Sequence, residues 1–445
     1  MYKDYKVIFY YREGEQVYYI EDKDENNTLQ KMSILDINNP NLKLHSFKML
    51  GKDYTKCHKD LIKYKKEFNK ETNEIFTEKI KTPSGKTYNL DYTKYFNHSD
   101  AVLYYFMSKV NKDILSRIEK PTEDEFYIME RCYNAGLITL NLKYKNKKTQ
   151  CFGYDYSRYY THLLLDMNFS TKRGKIETLN KLDYDNVKFG IYRIKITYKK
   201  EEFTNIFTFS KFHHYASSTI KYLIQIKDKY GLEFELLPAD EKYDYNALTY
   251  DNEYLINGKE IFGDWYKSLE NIRKKYPKNS ILKHMMSSLW GMICSFKRIY
   301  VSEDNIEDYD ISHLKRVLKT EYKILDIDKD YIIVKSDDAY NHSLARLKPF
   351  MSSLGRLKIM RLLIDSKLEE NIVRIHTDGI VLNKEVNFKE LKKNKYNYYP
   401  SPEDKTTGIM VYENAVFGFH VCQNCHEKNP YKKHIKHIKK CSSNT

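Results

Sequence analysis

The sequence is short of residues that break regular structure: its 445 residues include 15 Gly and 9 Pro. That excludes collagen-like and Pro/Gly-rich linker sequences, and no internal repeat or long low-complexity tract interrupts the chain. Seven scattered cysteines are too few for a disulfide scaffold. Cys57, Cys132, Cys151 and Cys294 stand alone and read as reduced, packed thiols, whereas Cys422, Cys425 and Cys441 cluster near the C-terminus. No apolar run approaches the roughly 20 residues that a membrane span needs. The N-terminal stretch MYKDYKVIFYYREGEQ has no signal-peptide pattern. The expectation is an intracellular protein, in the cytoplasm or nucleus of a host cell, with no membrane partner.

What is abundant is basic charge. The formal net charge of +15 points to a polyanionic partner. A second explanation stands beside it. The chain is rich in Lys, Asn and Tyr, with 42 Tyr, and these residues have A/T-rich codons. Charge by itself is therefore a weak pointer to nucleic acid.

Residues 1–115 alternate short strand-like runs with Lys-rich polar stretches and hold no catalytic constellation. From PTEDEFYIMERCYNAGL the period becomes helical, with acids in the first turn and an end near Ala135–Gly136. Strands are expected at LITLNLKY and CFGYDYS, and a hairpin from FGIYRIKITY and FTNIFTFS. Two helices flank YPKN in WYKSLENIRKKYPKNSILKHMMSSLWGMI, with Asn279 or Ser280 as N-cap of the second. DYIIVKSDD reads as a strand and SLARLKPFMSSLGRLKIMRLLI as a helix despite Pro349. VRIHTDGIVL reads as a hairpin turning at Thr377, Asp378 and Gly379.

Three stretches carry chemistry. Gly153–Thr161 places Asp155 at a strand end just before a helix, which suits a metal and a triphosphate. In Lys283–Gly291, spacings of four and three put Lys283, Ser287 and Trp290 on one helix face, with Arg273, Lys274 and Lys275 on the preceding helix. A lysine, a hydroxyl and an aromatic in one stripe suit a phosphate, a sugar and a base. The third stretch supplies Asp378. Two acids on neighbouring strand ends can hold two divalent ions for in-line phosphoryl transfer.

In this order the stretches resemble the palm and fingers motifs of family B DNA polymerases, over roughly residues 120–390. Asp155 and Tyr160 match the first palm motif, while Arg158, Tyr159 and Thr161 depart from it. Lys283, Ser288 and Gly291 match the fingers motif, with Ser287 for Asn and Trp290 for Tyr. Thr377 and Asp378 match the second palm motif, with His376 for the first Asp and Gly379 for Ser. Tyr133-Asn-Ala-Gly136 resembles an element that touches template, and ARLKPFMSSLGRLKIM resembles the helix beneath the palm sheet.

The resemblance implies an α/β right-hand architecture: an antiparallel palm sheet backed by helices, two-helix fingers, a reduced thumb and a small C-terminal zinc finger. The expected divisions are an N-terminal domain (1–115), palm (116–261 and 295–385), fingers (262–294), a thumb-like region (386–420) and a zinc finger (421–445). The implied activity is template-directed DNA synthesis from primer-template DNA and dNTPs, without proofreading. The residues 1–115 are short for an exonuclease domain. Asp155 and Asp378 would bind two Mg²⁺, and Lys283, with Arg273 or Lys274, would contact the phosphates. Ser157, Arg158 and Tyr159 would cradle the triphosphate, and Tyr160 would exclude a 2′-hydroxyl. Ser287, Ser288, Trp290 and Thr377 would line the substrate, and Tyr133, Gly136, Arg346, Lys348 and Arg356 would face DNA. A terminal protein primer or replication accessory proteins are further partners, with the expected FGIYRIKITY–FTNIFTFS hairpin as an inserted priming element. Composition and variant motifs together point to a virus or mobile element. The alternative is a catalytically inactive polymerase-like DNA-binding or replication scaffold protein, motivated by His376.

The tail adds a separate signal. Cys422, Cys425, His437 and Cys441 have the spacing of a tetrahedral Zn²⁺ site, with His434 as an alternative to His437.

Overall fold

The computed structural model describes residues 6–13, 16–33, 36, 42–46, 54–76, 79–81, 87–89, 98–134, 136–239, 245–277, 280–296, 299–301, 331–333, 339–388, 403–410, 415–416, 419–421 and 428–430. The zinc-site expectation, Cys422, Cys425, His434, His437 and Cys441, lies outside the described residues. The chain divides into two compact units. One comprises Met1–Ser116, Lys259–Tyr309 and Tyr322–Ile333; the other comprises Arg117–Gly258, Asp310–Glu321 and Val334–Thr445.

The first unit carries a four-stranded sheet, ordered Gln30–Ser33, Gln16–Glu21, Lys6–Glu13, Leu42–Ser46, with only the last pairing parallel. Its helix His98–Lys109 packs through aromatic side chains: Phe106 stacks on Phe262 at 5.3 Å and meets Trp265 edge-on at 6.3 Å. The helices Gly258–Lys275 and Ser280–Ile293 follow. Leu282, Met285, Leu289 and Ile293 are fully buried, at the helical period that an amphipathic helix requires.

The second unit is built on a five-stranded antiparallel sheet. Its order is Glu403–Met410, Thr149–Asp155, Gly379–Leu382, Ile372–His376, Ile138–Leu140. Val373, Ile375, Ile380 and Leu382 alternate inward and are fully buried. The 19-residue helix Leu347–Asp365 is buried over most of its surface. Pro349 falls in its first turn, where a missing N–H costs no helical bond. A second antiparallel sheet surrounds the Gly190–Thr197 strand.

The expected hairpin of FGIYRIKITY with FTNIFTFS does not form. Gly190–Thr197 pairs instead with His214–Ala216, Glu233–Leu236 and Ala247–Thr249. The second half folds into a 3₁₀ turn at Glu201–Asn205. The reason is spacing: Phe203, Ile206 and Phe207 are the buried residues, three and one apart, which suits a turn of helix and not a strand. The early helix also stops sooner than expected, at Cys132, with Tyr133 as its C-cap. Its start is fixed by a reciprocal capping box between Thr122 and Glu125. Among the described residues no helix is long and apolar enough to cross a membrane.

Candidate active site

Three backbone segments meet where the central sheet ends. The first is the end of Thr149–Asp155. Asp155 is half-buried and pairs in register with Gly379 on one side and Glu403 on the other. The second is the hairpin between Ile372–His376 and Gly379–Leu382, in which His376 pairs with Gly379. The turn is therefore Thr377–Asp378, and Gly379 is the first residue of the returning strand. The left-handed backbone falls on Thr377, at φ 65°, not on the glycine. A β-branched residue pays about 1–2 kcal/mol for that conformation. The third segment is Gly136–Leu137.

Hydrogen bonds hold the strained turn from both sides. Thr377 N–H donates to Leu137 O at 2.8 Å, and Tyr156 N–H donates to Asp378 O at 3.1 Å. Gly136 makes the first contact feasible. A Cβ there would lie 2.7 Å from Thr377 Cγ2 and 3.0 Å from Thr377 Cα, closer than packing permits. Sequence reading assigned Gly136 to DNA. The structure places it against the turn that carries Asp378.

The two acids feel each other. Burial and then the charge of Asp155 push the Asp378 carboxyl up to about 6. Gly379 lies beside Asp155: a Cβ at Gly379 would make ordinary van der Waals contact with Asp155 Oδ1, at 3.8 Å. Directly paired residues project from one face of a sheet, so His376 shares the Asp155 face with only Gly379 between. His376 is exposed, and burial of its ring followed by the charge of Arg374 lowers its pKa. Among the described residues no group of three or more His, Cys, Asp or Glu forms a metal cage. The two carboxylates fit an ion that keeps waters and takes further oxygens from a substrate, as Mg²⁺ does.

The turn after Asp155 brings further residues in. Arg158 caps the helix Tyr159–Asp166 in the left-handed region, at φ 57° and ψ 38°. Tyr159 is buried and its hydroxyl donates to Gly355 O, so its ring is structural. Tyr160 is half-buried, and its hydroxyl is held protonated by burial and then by Asp378 and Tyr133. That places Tyr133, Tyr160 and Asp378 in one electrostatic neighbourhood.

Arg346, Lys348 and Arg356 correct the expectation that they face DNA. All three are at most 9% exposed and are spent on internal bonds. Arg346 makes a two-pronged pair with Glu125, at 3.0 and 3.2 Å, with both side chains fully buried. Lys348 Nζ donates to both oxygens of Glu130 at 2.8 Å and lies 4.4 Å from the Tyr133 ring centroid. Tyr340 also donates to Glu130. Arg356 donates to the carbonyl and hydroxyl of Thr208. The long helix thus offers its cations to the interior. Lys348 fixes Tyr133 through its ring face and so serves the site indirectly.

Sequence reading missed Glu125 and Glu130. The Thr122-x-x-Glu125 spacing was a readable capping signal. An acid at position 130, inside an otherwise buried helix, implied an internal cation.

The expected phosphate-contacting residues Lys283, Arg273 and Lys274 lie in the other unit. Lys283 and Ser287 are exposed on the face of Ser280–Ile293 opposite its buried residues, with Trp290 half-buried. Ser287 and Ser288 both donate to His284 O, at 3.3 and 2.7 Å. Arg273 is engaged two-pronged by Glu270 at 3.0 and 2.9 Å. Lys274 is exposed and makes no ion pair among the described residues, which separates it from Arg273 as the available cation.

No protein-family model and no curated protein matches the chain. Solved structures do resemble it. Phi29 DNA polymerase complexed with primer-template DNA, in a post-translocation binary complex, aligns with a TM-score of 0.50 at 12% identity, covering 95% of this chain and 77% of that one. The ternary complex of Phi29 DNA polymerase with primer-template DNA and incoming nucleotide aligns at 0.45 and 13% identity, over 69% of this chain and 53% of that one. This chain thus spans about half the length of that second structure. The likeness is one of fold: a mixed α/β chain whose antiparallel sheets resemble those of a DNA polymerase.

Proposed function

We propose that the chain is a template-directed DNA polymerase of the family B type, extending a primer 3′-hydroxyl with dNTPs. The observation that carries this reading is the pairing of Asp155 with Asp378. Their segments are bonded backbone to backbone, and burial followed by the charge of Asp155 raises the Asp378 carboxyl to about 6. Two acids that repel in the free protein are poised for divalent cations.

Asp155 and Asp378 would hold two Mg²⁺. When bound, such ions make the primer hydroxyl easier to deprotonate and offset charge on the leaving pyrophosphate. The remaining work falls to this chain. Backbone N–H groups of Ser157, Arg158 and Tyr159, at the start of a helix, face the triphosphate. Tyr160, kept protonated beside Asp378, closes the sugar position against a 2′-hydroxyl. By their match to the family's motifs, Lys283 and Lys274 would supply positive charge to the phosphates, and Ser287, Ser288, Trp290 and Thr377 would contact the nascent pair. Tyr133 and Gly136 support the template side. Neutral His376 removes one negative charge from the usual acidic set without removing either member of the pair. The tail Cys422, Cys425, His437 and Cys441 would bind one structural Zn²⁺. Terminal-protein priming and a viral or mobile-element origin belong to the same reading.

Primer extension on a DNA duplex with dNTPs and Mg²⁺ or Mn²⁺ tests it, comparing wild type with Asp155→Asn and Asp378→Asn. Extension by wild type alone is the expected outcome. Failure of wild type with DNA, oligonucleotide and protein primers, with duplex binding intact, would support a replication scaffold instead.

A further inference from the structure

A second site lies within the same unit, away from the paired acids. A cavity of about 20 Å³ is lined by Arg356, Ser353, Thr219, Asn134, His214 and Cys132 among others. Arg356 is nine-tenths buried, yet one nitrogen, Nη2, makes both of its hydrogen bonds, to Thr208. Nε and Nη1 make no hydrogen bond among the described residues, and the guanidinium lies 5.9 Å from the Phe207 ring centroid. Burial lowers its pKa to about 10, so it stays charged at neutral pH. Among the described residues Tyr215 and Cys132 act on it electrostatically and no carboxylate does. A buried cation without a counter-charge is costly.

The remaining walls are polar. The hydroxyls of Ser353 and Thr219 and the amide of Asn134 make no hydrogen bond among the described residues, and Ser353 and Thr219 are 9% and 8% exposed. His214 is fully buried and neutral: burial, opposed by its 2.7 Å bond from Nδ1 to Phe212 O, lowers its pKa to about 3. Arg131 and Arg193 also act on it, so the surroundings are net positive.

We propose that this cavity binds a single halide-sized anion, chloride in the cell, held by Arg356, Ser353, Thr219 and Asn134. A cation, three neutral hydrogen-bonding groups and no acid suit a small anion. Cys132 and Asn134 flank Tyr133, three residues ahead of the Gly136 that supports the Thr377–Asp378 turn. A bound anion therefore firms the segment behind the paired acids. The site does not depend on the polymerase reading.

The test uses the purified full chain. Thermal melts are recorded in sodium chloride, bromide, acetate and phosphate at equal ionic strength, and crystals are soaked in bromide. The expected result is melting a few degrees higher in chloride and bromide than in acetate, with a bromide anomalous peak beside Arg356. The difference shrinks in Ser353→Ala and vanishes in Arg356→Gln. Should Arg356→Gln fail to fold, Ser353→Ala and the bromide peak carry the test. No peak at Arg356, or a halide effect unchanged in Ser353→Ala, would overturn the proposal. A larger rise in phosphate than in chloride would also overturn it, by assigning the cavity to an oxyanion.

Discussion

Replacing Asp378 by Asn stabilises the metal-free chain at pH 8 and eliminates extension. The stabilisation follows from the carboxyl that ionises at about 6 in the folded chain, because of burial and Asp155. An unfolded Asp ionises at roughly 3.9, and each pH unit of difference is worth about 1.4 kcal/mol. The gap thus approaches about 3 kcal/mol, and solvent screening at a half-buried position reduces it to about 1–2 kcal/mol. The sign is set by the raised value. Below pH 4 the carboxyl is protonated in both states and exacts nothing. Between about 4 and 6 the folded state binds the extra proton, so stability falls as pH rises, and above about 6 the full loss is present. Urea unfolding in EDTA reads this directly: the Asn variant is more stable by about 1–2 kcal/mol at pH 8, and the two curves converge at pH 4. Adding Mg²⁺ reverses the order once it reaches about a hundred times its dissociation constant, where linkage to a bound ion stabilises wild type by about 2.7 kcal/mol. An Asn variant less stable than wild type at pH 8 without metal, or a gap independent of pH, would refute the electrostatic coupling of the pair.

Gly136→Ala forces a methyl onto Thr377 and is expected to destabilise by about 1–3 kcal/mol while weakening Mg²⁺ binding measured by calorimetry. Gly291→Ala is its counterpart: nothing lies within 4 Å of that Cβ, so helix propensity alone stabilises by about 0.5–1 kcal/mol in the same unfolding assay. Arg346→Met leaves Glu125 charged in a dry interior and is expected to destabilise by about 3–5 kcal/mol; adding Glu125→Gln recovers much of that loss in a double-mutant cycle. Metal analysis of chain purified without chelator is expected to find one Zn²⁺ per chain, lost in Cys422→Ser with Cys425→Ser.

Local signals in the sequence sufficed for the elements that carry the acids. A strand ending on Asp155 and a hairpin around Asp378 follow from period-two alternation, which is a property of near neighbours. The turn itself did not follow. Asp-Gly favours left-handed backbone at the glycine, but register with Asp155 assigns Gly379 to the strand and moves the positive φ to Thr377. Tertiary bonds from Leu137 and Tyr156 override the local preference.

The same limit explains the basic residues of the long helix. Periodicity identifies a helix, but cannot say whether a cation meets solvent or an acid more than 200 positions away, and Arg346 and Lys348 meet acids 221 and 218 residues distant. A clue was present in the pattern. SLARLKPFMSSLGRLKIMRLLI has apolar residues on every side, and a helix apolar all round is buried. Cations in a buried helix must be neutralised from within. Two of them take Glu125 and Glu130, the acids of the one helix that leads into Tyr133 and Gly136. Arg356 has no such acid among the described residues, so the argument that places its neighbours in ion pairs leaves its own charge to a ligand.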